Sequence, residues 1–243
     1  MTDPFLKKLA AAGGLSAEDR RLLSEAVSDV RHFAPDQDII REGARPDDVK
    51  LIVAGWACRY QLLRNGSRQI TAFMLPGDLS DVHVTMLGVM DHSIGSLTIA
   101  SVAAIPRATM LELTDRPQIA RAFWWASLVD EAVLRAWIVN MGRRDSFDRV
   151  AHLICELHAR METVGLAHGS SFRLPLTQED LSDALGLTGV HVNRTLAKLR
   201  EAGLMTFKRG EIAIIDIAAL RKQSGFDPTY LHLAPLVPLS PSG

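Results

Sequence analysis

Between Leu176 and Leu204 the chain reads LTQEDLSDALGLTGVHVNRTLAKLREAGL, and this stretch narrows the possible folds more than any other. Two short helical patterns meet at Gly186. Thr177 can cap the first, with Asp180 three residues on to complete a capping box. Leu181, Ala184 and Leu185 then give that helix an apolar face. Gly186-Leu187 makes the turn, and Thr188 can cap the second helix. In the second helix Val192, Leu196 and Leu199 share a face at spacings of four and three. Advancing roughly 100° per residue, Val190, Arg194 and Ala197 point the opposite way, flanked by His191, Asn193 and Lys198. No acid lies on that outer face, although Glu201 follows just after it. An ordinary helical hairpin would share the apolar underside. Donors gathered on the far side are what a helix entering the major groove requires.

The next residues extend the pattern. Leu204 to Lys208 and Glu211 to Ile215 are strand-like runs joined through Arg209-Gly210, which predicts a β-hairpin. Helix, turn, helix and hairpin in this order make a winged helix. Leu176 to Ile215 closely resembles the C-terminal DNA-binding domain of bacterial Crp/Fnr-type regulators, the cyclic-AMP-receptor-like family. With the outer face above, the resemblance assigns DNA contact to Thr177, Gln178, Thr188, Gly189, Val190, His191, Asn193, Arg194, Lys198, Lys208 and Arg209. The best-known members place Arg and Glu early in the recognition helix, where this chain has Gly189 and Val190. Glycine cannot reach a base, and valine offers only apolar contact, as to a thymine methyl. Readout must therefore shift to His191, Asn193 and Arg194. Arg194 matches the family's arginine one turn further on and can pair with a guanine or hold a phosphate.

The net charge of −1 gives no help to DNA binding through overall electrostatics. Affinity must come from local cations: Arg194, Lys198, Arg200, Lys208 and Arg209. A chain of 243 residues with 47% hydrophobic and 23% charged residues is globular, with one large domain or two ordinary ones. No run approaches the roughly 20 apolar residues of a membrane span. MTDPFLKKLAAAGG lacks the charged start and apolar core of a signal peptide. Two cysteines, Cys58 and Cys155, fit a reducing compartment, so a cytoplasmic location is expected.

In chain order, Ser16 is the expected cap of a helix over AEDRRLLSEAV. Strands are expected from Asp38 to Gly43, Val49 to Val53, Trp56 to Leu63, Gln69 to Leu75, Leu97 to Ile105 and Thr109 to Leu113. Asn65-Gly66 is the strongest short hairpin signal. Many short strands with frequent turns suggest a sandwich or barrel. The Ile39–Gly43 run, the VKLIVAGWACRY and RNGSRQI hairpins and LPGD at 75–78 resemble the jelly-roll sensor of the same family. Asp115 is the expected cap of a long helix with Pro117 in its first turn, running to about Met141. Ile119, Ala122, Ala126, Val129, Val133 and Ala136 line one side, and Trp124, Leu128, Ile138 and Met141 a second. A helix apolar on two sides must be covered twice, by burial within one chain or by a second copy; the resemblance implies the second. Gly142 to Asp145 is the expected hinge, Phe147 to Met161 the next helix, and Val164 to Ser171 a loop. APLVPLSPSG at the end is expected to be disordered.

Other constellations carry less. His152, Cys155 and His158 point roughly 0°, 300° and 240° around a helix, so they do not converge on one ion. Oxygen-sensing members of the family hold an iron–sulfur cluster on four cysteines, and this chain has two. Cys58 reads as a small buried hydrophobe more than a redox switch. Cyclic-AMP-binding members carry Gly-Glu after the PGD turn, for the ribose hydroxyl, then Arg-Ser or Arg-Thr for the cyclic phosphate. Asp81-Val82 and His92-Ser93 stand at those places, so the candidate pocket is Gly77, Asp78, Asp81, His92 and Ser93. A buried phosphate without its arginine loses a bidentate, charge-assisted partner. Another effector, or none, is expected.

The fold expected is α+β: a cyclic-nucleotide-binding-like β-roll over 1–114, a dimerisation helix and hinge over 115–143, a winged helix-turn-helix over 144–226, and a tail over 227–243. The function expected is a homodimeric, sequence-specific regulator on double-stranded DNA with an inverted repeat, working with RNA polymerase, without cofactor, metal or membrane partner. No catalytic motif is visible, so no enzyme activity is expected. The alternative is a sensor module regulating a partner protein without DNA, which would lack residues 188 to 200.

Overall fold

A computed structural model describes residues 2–80, 82 and 84–233 of the chain. Helix α1 (Asp3–Ala10) buries Phe5 and Leu9. Helix α2 (Ala17–Glu25) starts at Ser16, whose hydroxyl forms a reciprocal capping box with Asp19. Strands β1 (Ser28–Phe33), β2 (Asp38–Ile40), β3 (Asp48–Ala54), β4 (Ala57–Leu62) and β5 (Arg68–Met74) follow. Then come a short helix α3 (Val84–Leu87) and strands β6 (Ser93–Ser96) and β7 (Ala100–Pro106). They make two antiparallel sheets, ordered β1-β7-β3 and β2-β6-β4-β5. The β4–β5 turn takes the left-handed backbone at Gly66 (φ 82°) that the Asn-Gly pair predicts.

Three expectations fail here. No strand was expected at Ser93–Ser96, because its small residues hide the alternation; β6 lies between β2 and β4, fully buried. The Leu97–Ile105 run becomes a strand only from Ala100. Thr109 to Leu113 is not a strand but part of helix α4 (Arg107–Thr114). Met110 and Leu113, three apart, go inward, while Leu111 between them stays 44% exposed; over five residues the two periods look alike.

Helix α5 (Pro117–Arg143) is the long one. Asp115 does not cap it. Asp115 closes the C-terminal end of α4, and Arg116 stands at the N-cap of α5 with no side-chain cap bond. α5 buries Ile119, Ala122, Ala126, Val129 and Val133, with Ala136 half-buried, and leaves Trp124 (69%) and Ile138 (66%) exposed with Leu128 and Val139.

The residues after α5 are tied down rather than free. Arg149 donates to the carbonyls of Met141 (2.8 Å) and Arg144 (3.0 Å), and Arg144 donates to that of Ser224 (3.1 Å). The expected hinge is a braced joint. Asp145 caps helix α6 (Ser146–Thr163) through Phe147 and Asp148 N–H. The expected loop at 164–171 instead contains strand β8 (Ala167–His168), paired with β9 (Ser171–Arg173). β9 also pairs with β11, so this hairpin widens the wing sheet. Helices α7 (Gln178–Leu185) and α8 (Gly189–Glu201), strands β10 (Met205–Lys208) and β11 (Glu211–Ile214) and helix α9 (Ile217–Ser224) complete the domain before a 3-10 turn, Pro228–Leu231.

One core fills the β-roll around Leu51, Ile52, Met74 and Ile105. A second is continuous from Trp56 and Phe73 on the sheet, through Trp137 on α5, to Val192 and Leu199 in the winged helix. Asp81 and residues 234–243, on which two expectations fell, lie outside the described residues. Among the described residues no helix is long and apolar enough to cross a membrane.

Candidate nucleic-acid interface

The helix-turn-helix is built from its caps. Thr177 Oγ1 donates to Asp180 Oδ2 (2.6 Å) and accepts from Asp180 N–H (3.1 Å), while Thr177 N–H reaches the same carboxylate at 2.9 Å. Two of the unpaired donors at the start of α7 are thereby satisfied. Gly186 ends α7 in the left-handed conformation (φ 61°), where a side chain would be strained. Thr188 Oγ1 accepts from His191 N–H at 3.3 Å and starts α8. Val192, Thr195, Leu196 and Leu199 are buried beneath α8. Burying each aliphatic side chain stabilises by roughly 1.5–3 kcal/mol, which fixes which side faces out.

On the outer side Val190 (68%), His191, Asn193, Arg194 and Lys198 are exposed, and Gly189 half-buried at the first turn. Thr177, Gln178 and Thr188 are exposed beside them. Asn193 is less free than its position suggests. Its amide donates to Gln178 Oε1 (2.6 Å) and accepts from Gln178 Nε2 (2.5 Å). Reading an adenine would require exchanging that pair, so Gln178 and Asn193 form one polar unit across the two helices. Lys208 and Arg209 are exposed on the wing, whose turn places Arg209 (φ 53°) and Gly210 (φ 76°) both left-handed. Basic side chains thus sit on α8 and on the wing tip, as phosphate contacts flanking a groove require.

The candidate effector residues scatter. Gly77 and His92 line a cavity of about 330 Å³ between the sheets and α5, with Arg59, Thr71, Asp130 and Glu131. Asp78 is turned elsewhere: it accepts from Lys8 Nζ (2.8 Å), Arg160 Nη2 (2.9 Å) and Leu75 N–H (2.8 Å). Burial would raise its pKa, but Lys8 and Arg160 overcome that and hold it at about 2. Ser93 accepts from Glu42 N–H (3.0 Å) and serves the backbone. Arg59, which the sequence did not single out, enters this cavity and donates to Asp130 (3.2 Å) and the carbonyl of Leu79 (3.2 Å).

The charges that join the domains were also missed. Arg68 on β5 donates to Asp183 (2.7 Å) and Asp180 (2.8 Å) on α7, and Gln69 donates to the carbonyl of Asp183 (2.7 Å). Glu156, wholly buried, accepts from Trp137 (3.1 Å), Tyr230 (2.8 Å) and Arg160 (3.3 Å). Burial still pushes its pKa up against those partners. Arg160 and Glu156 stand four apart on α6, but the other partners lie 19 to 115 positions apart, where no local spacing could reveal them.

His152, Cys155 and His158 have separate surroundings. His152 stacks on Tyr230 (6.0 Å between centroids), His158 pairs with the carbonyl of Gly169 (2.8 Å), and Cys155 contacts Ser224 Oγ at 3.9 Å. Burial raises the Cys58 thiol pKa to about 12 and that of Cys155 to about 11, so neither is a thiolate near neutrality.

Comparison with known proteins gives the same two halves. A cyclic nucleotide-binding domain model matches residues 30–116, and a Crp-like helix-turn-helix domain model matches residues 148–223. The chain is 27% identical over 218 residues to the nitrogen fixation regulation protein FixK of Bradyrhizobium diazoefficiens, covering 89% of this chain and 90% of that one. It is 27% identical to the transcriptional activatory protein AadR of Rhodopseudomonas palustris, covering 87% of each. The solved structure of FixK2 from Bradyrhizobium japonicum superposes with a TM-score of 0.74 at 26% identity, over 81% of this chain and 97% of that one. With the fold, the exposed recognition face and these relatives in agreement, the chain belongs to the Crp/Fnr-type family and is a DNA-binding transcription regulator.

Proposed function

We propose that the chain works as a homodimer on an inverted repeat. The observation that carries this reading is the acid-free, exposed outer face of α8 above a capped and buried underside. The exposed stripe Trp124, Leu128, Ile138 and Val139 on α5 supports pairing with a second copy, because apolar surface repeating along a helix seeks a matching helix. Two copies related by a two-fold axis present two recognition helices, so half-site centres should lie about 34 Å apart. Arg194 is assigned to a base edge, and Lys198, Lys208 and Arg209 to phosphates. Action on transcription implies contact with RNA polymerase and a cytoplasmic location. Regulation rather than catalysis is the role, with no cofactor and an effector other than cyclic AMP, since no arginine stands at His92.

In vitro selection of bound duplexes from a random pool tests this reading. Inverted repeats with one-turn spacing are expected. Recovery of unpaired half-sites only, or a monomer in sedimentation at micromolar concentration, would count against it. Failure to enrich any sequence would favour a sensor that acts on a protein partner.

A further inference from the structure

Helix α1 is not a loose N-terminal appendage. Phe5 and Leu9 are each 1% exposed, and with Lys8 they form one wall of the 330 Å³ cavity of the β-roll. The backbone of Pro4 lies so close to Gly77 that a Cβ on Gly77 would meet the Pro4 carbonyl carbon at 2.7 Å. From this seat Lys8 Nζ reaches Asp78 at 2.8 Å and Asp130 at 3.7 Å.

The contacts continue without a break into the winged helix. Asp78 Oδ2 takes Arg160 Nη2 of α6 at 2.9 Å, and the same nitrogen donates to the carbonyl of Phe73 at 2.8 Å. Arg160 also reaches Glu156, which Trp137 of α5 and Tyr230 hold from the other side. Three cations (Lys8, Arg59, Arg160) meet three carboxylates (Asp78, Asp130, Glu156). Side chains of Lys8, Asp78 and Arg160 are only 16%, 10% and 15% exposed, so removing one cation leaves a carboxylate that water cannot fully compensate. In this braced arrangement nothing among the described residues covers the recognition face.

We propose that α1 is the chain's own internal effector: seated against the cavity, it holds Asp78 through Lys8, and Asp78 clamps Arg160 and sets the winged helix at the angle at which it meets DNA. This rests on the reading of a dimer on an inverted repeat. A braced pair of winged helices meets both half-sites without further ordering. Once freed, each must be ordered when it binds, and the two-site advantage shrinks.

The test uses the full chain as wild type, Lys8→Met, Lys8→Arg and, as a control outside the buried charge cluster, Lys7→Met, whose half-exposed native side chain pairs with exposed Asp3. Each is titrated on a selected inverted-repeat duplex and on a duplex with one half-site. Amide hydrogen exchange is followed without DNA at residues 77–79 and 156–160. Lys8→Met is expected to bind the repeat about tenfold more weakly and the half-site within about twofold of wild type. Exchange at both segments should be faster. Lys8→Arg and Lys7→Met should behave as wild type, and Lys8→Gln stands in should Lys8→Met not fold. Unchanged or tighter binding to the repeat by Lys8→Met would overturn the proposal. Equal loss on both duplexes would too, because Lys8 would then act on the stability of the winged helix alone. If wild type shows no preference for the repeat, the dimer reading fails instead. Exchange then decides the clamp by itself, and unchanged rates would end it.

Discussion

His152→Phe should flatten the acid side of the stability profile. The imidazole is 2% exposed, lies 5.2 Å from the Phe226 ring and stacks on Tyr230, and its Nδ1 has no hydrogen-bond partner among the described residues. Burial first, and then the charge of Arg144, lower its pKa from 6.5 to about 4. A depressed histidine pKa means that the unfolded chain binds the proton more readily than the folded one. Stability is therefore untouched well above pH 6.5 and falls as pH drops through 6.5 toward 4. At about 1.4 kcal/mol per pKa unit the full effect is roughly 3 kcal/mol, of which about 2 kcal/mol should appear between pH 7 and pH 5. Phenylalanine keeps the ring packing and carries no proton. Urea titrations of both proteins at pH 7 and pH 5, at one protomer concentration, give the two differences. The variant should lose about 2 kcal/mol less than wild type over that interval. If both lose stability in parallel, His152 takes its proton in the folded state and the account of its burial is wrong.

Arg194→Ala should cost about 1–3 kcal/mol on the selected site and far less on scrambled duplex; equal losses on both would make Arg194 a phosphate contact. Lys198→Ala should weaken all duplexes alike and reduce the salt slope by about one unit, read from titrations at several salt concentrations. Arg68→Ala should destabilise by on the order of 2 kcal/mol in urea, less than the loss of a fully buried pair because Asp183 stays partly wet. Cyclic AMP at millimolar concentration should leave DNA affinity unchanged, and a shift would reinstate it as a candidate effector.

What the sequence made legible was local. Thr177 with Asp180 is a capping box legible from spacing, and Ser16 and Thr188 are legible as caps; the structure shows all three, with Asp19 and His191 three residues on as the partners of the last two. The apolar spacing of Val192, Leu196 and Leu199 fixed the face of α8 for the same reason. The misreadings came where a short segment suits two periods, as at Thr109–Leu113, or where small residues hide a strand, as at Ser93–Ser96. The turn at Asp78 suggests a pocket residue, while its partners Lys8 and Arg160 stand 70 and 82 positions away. Nothing in local pattern foretells a bond across that distance.

Asp180 divides its carboxylate. One oxygen caps α7, and the other accepts Arg68 from the β-roll. A gene fusion cut at the joint near residue 144 would therefore not transfer a self-sufficient module. The transplanted winged helix would lose the β-roll and α5 share of its core and present Asp180 at its first turn with no guanidinium to meet it. Chimeras that pair this half with a foreign sensor should succeed only when the donor strand brings an arginine to the place of Arg68. Recombination between relatives should then inherit β5 and α7 together, as one unit of exchange that straddles the visible domain boundary.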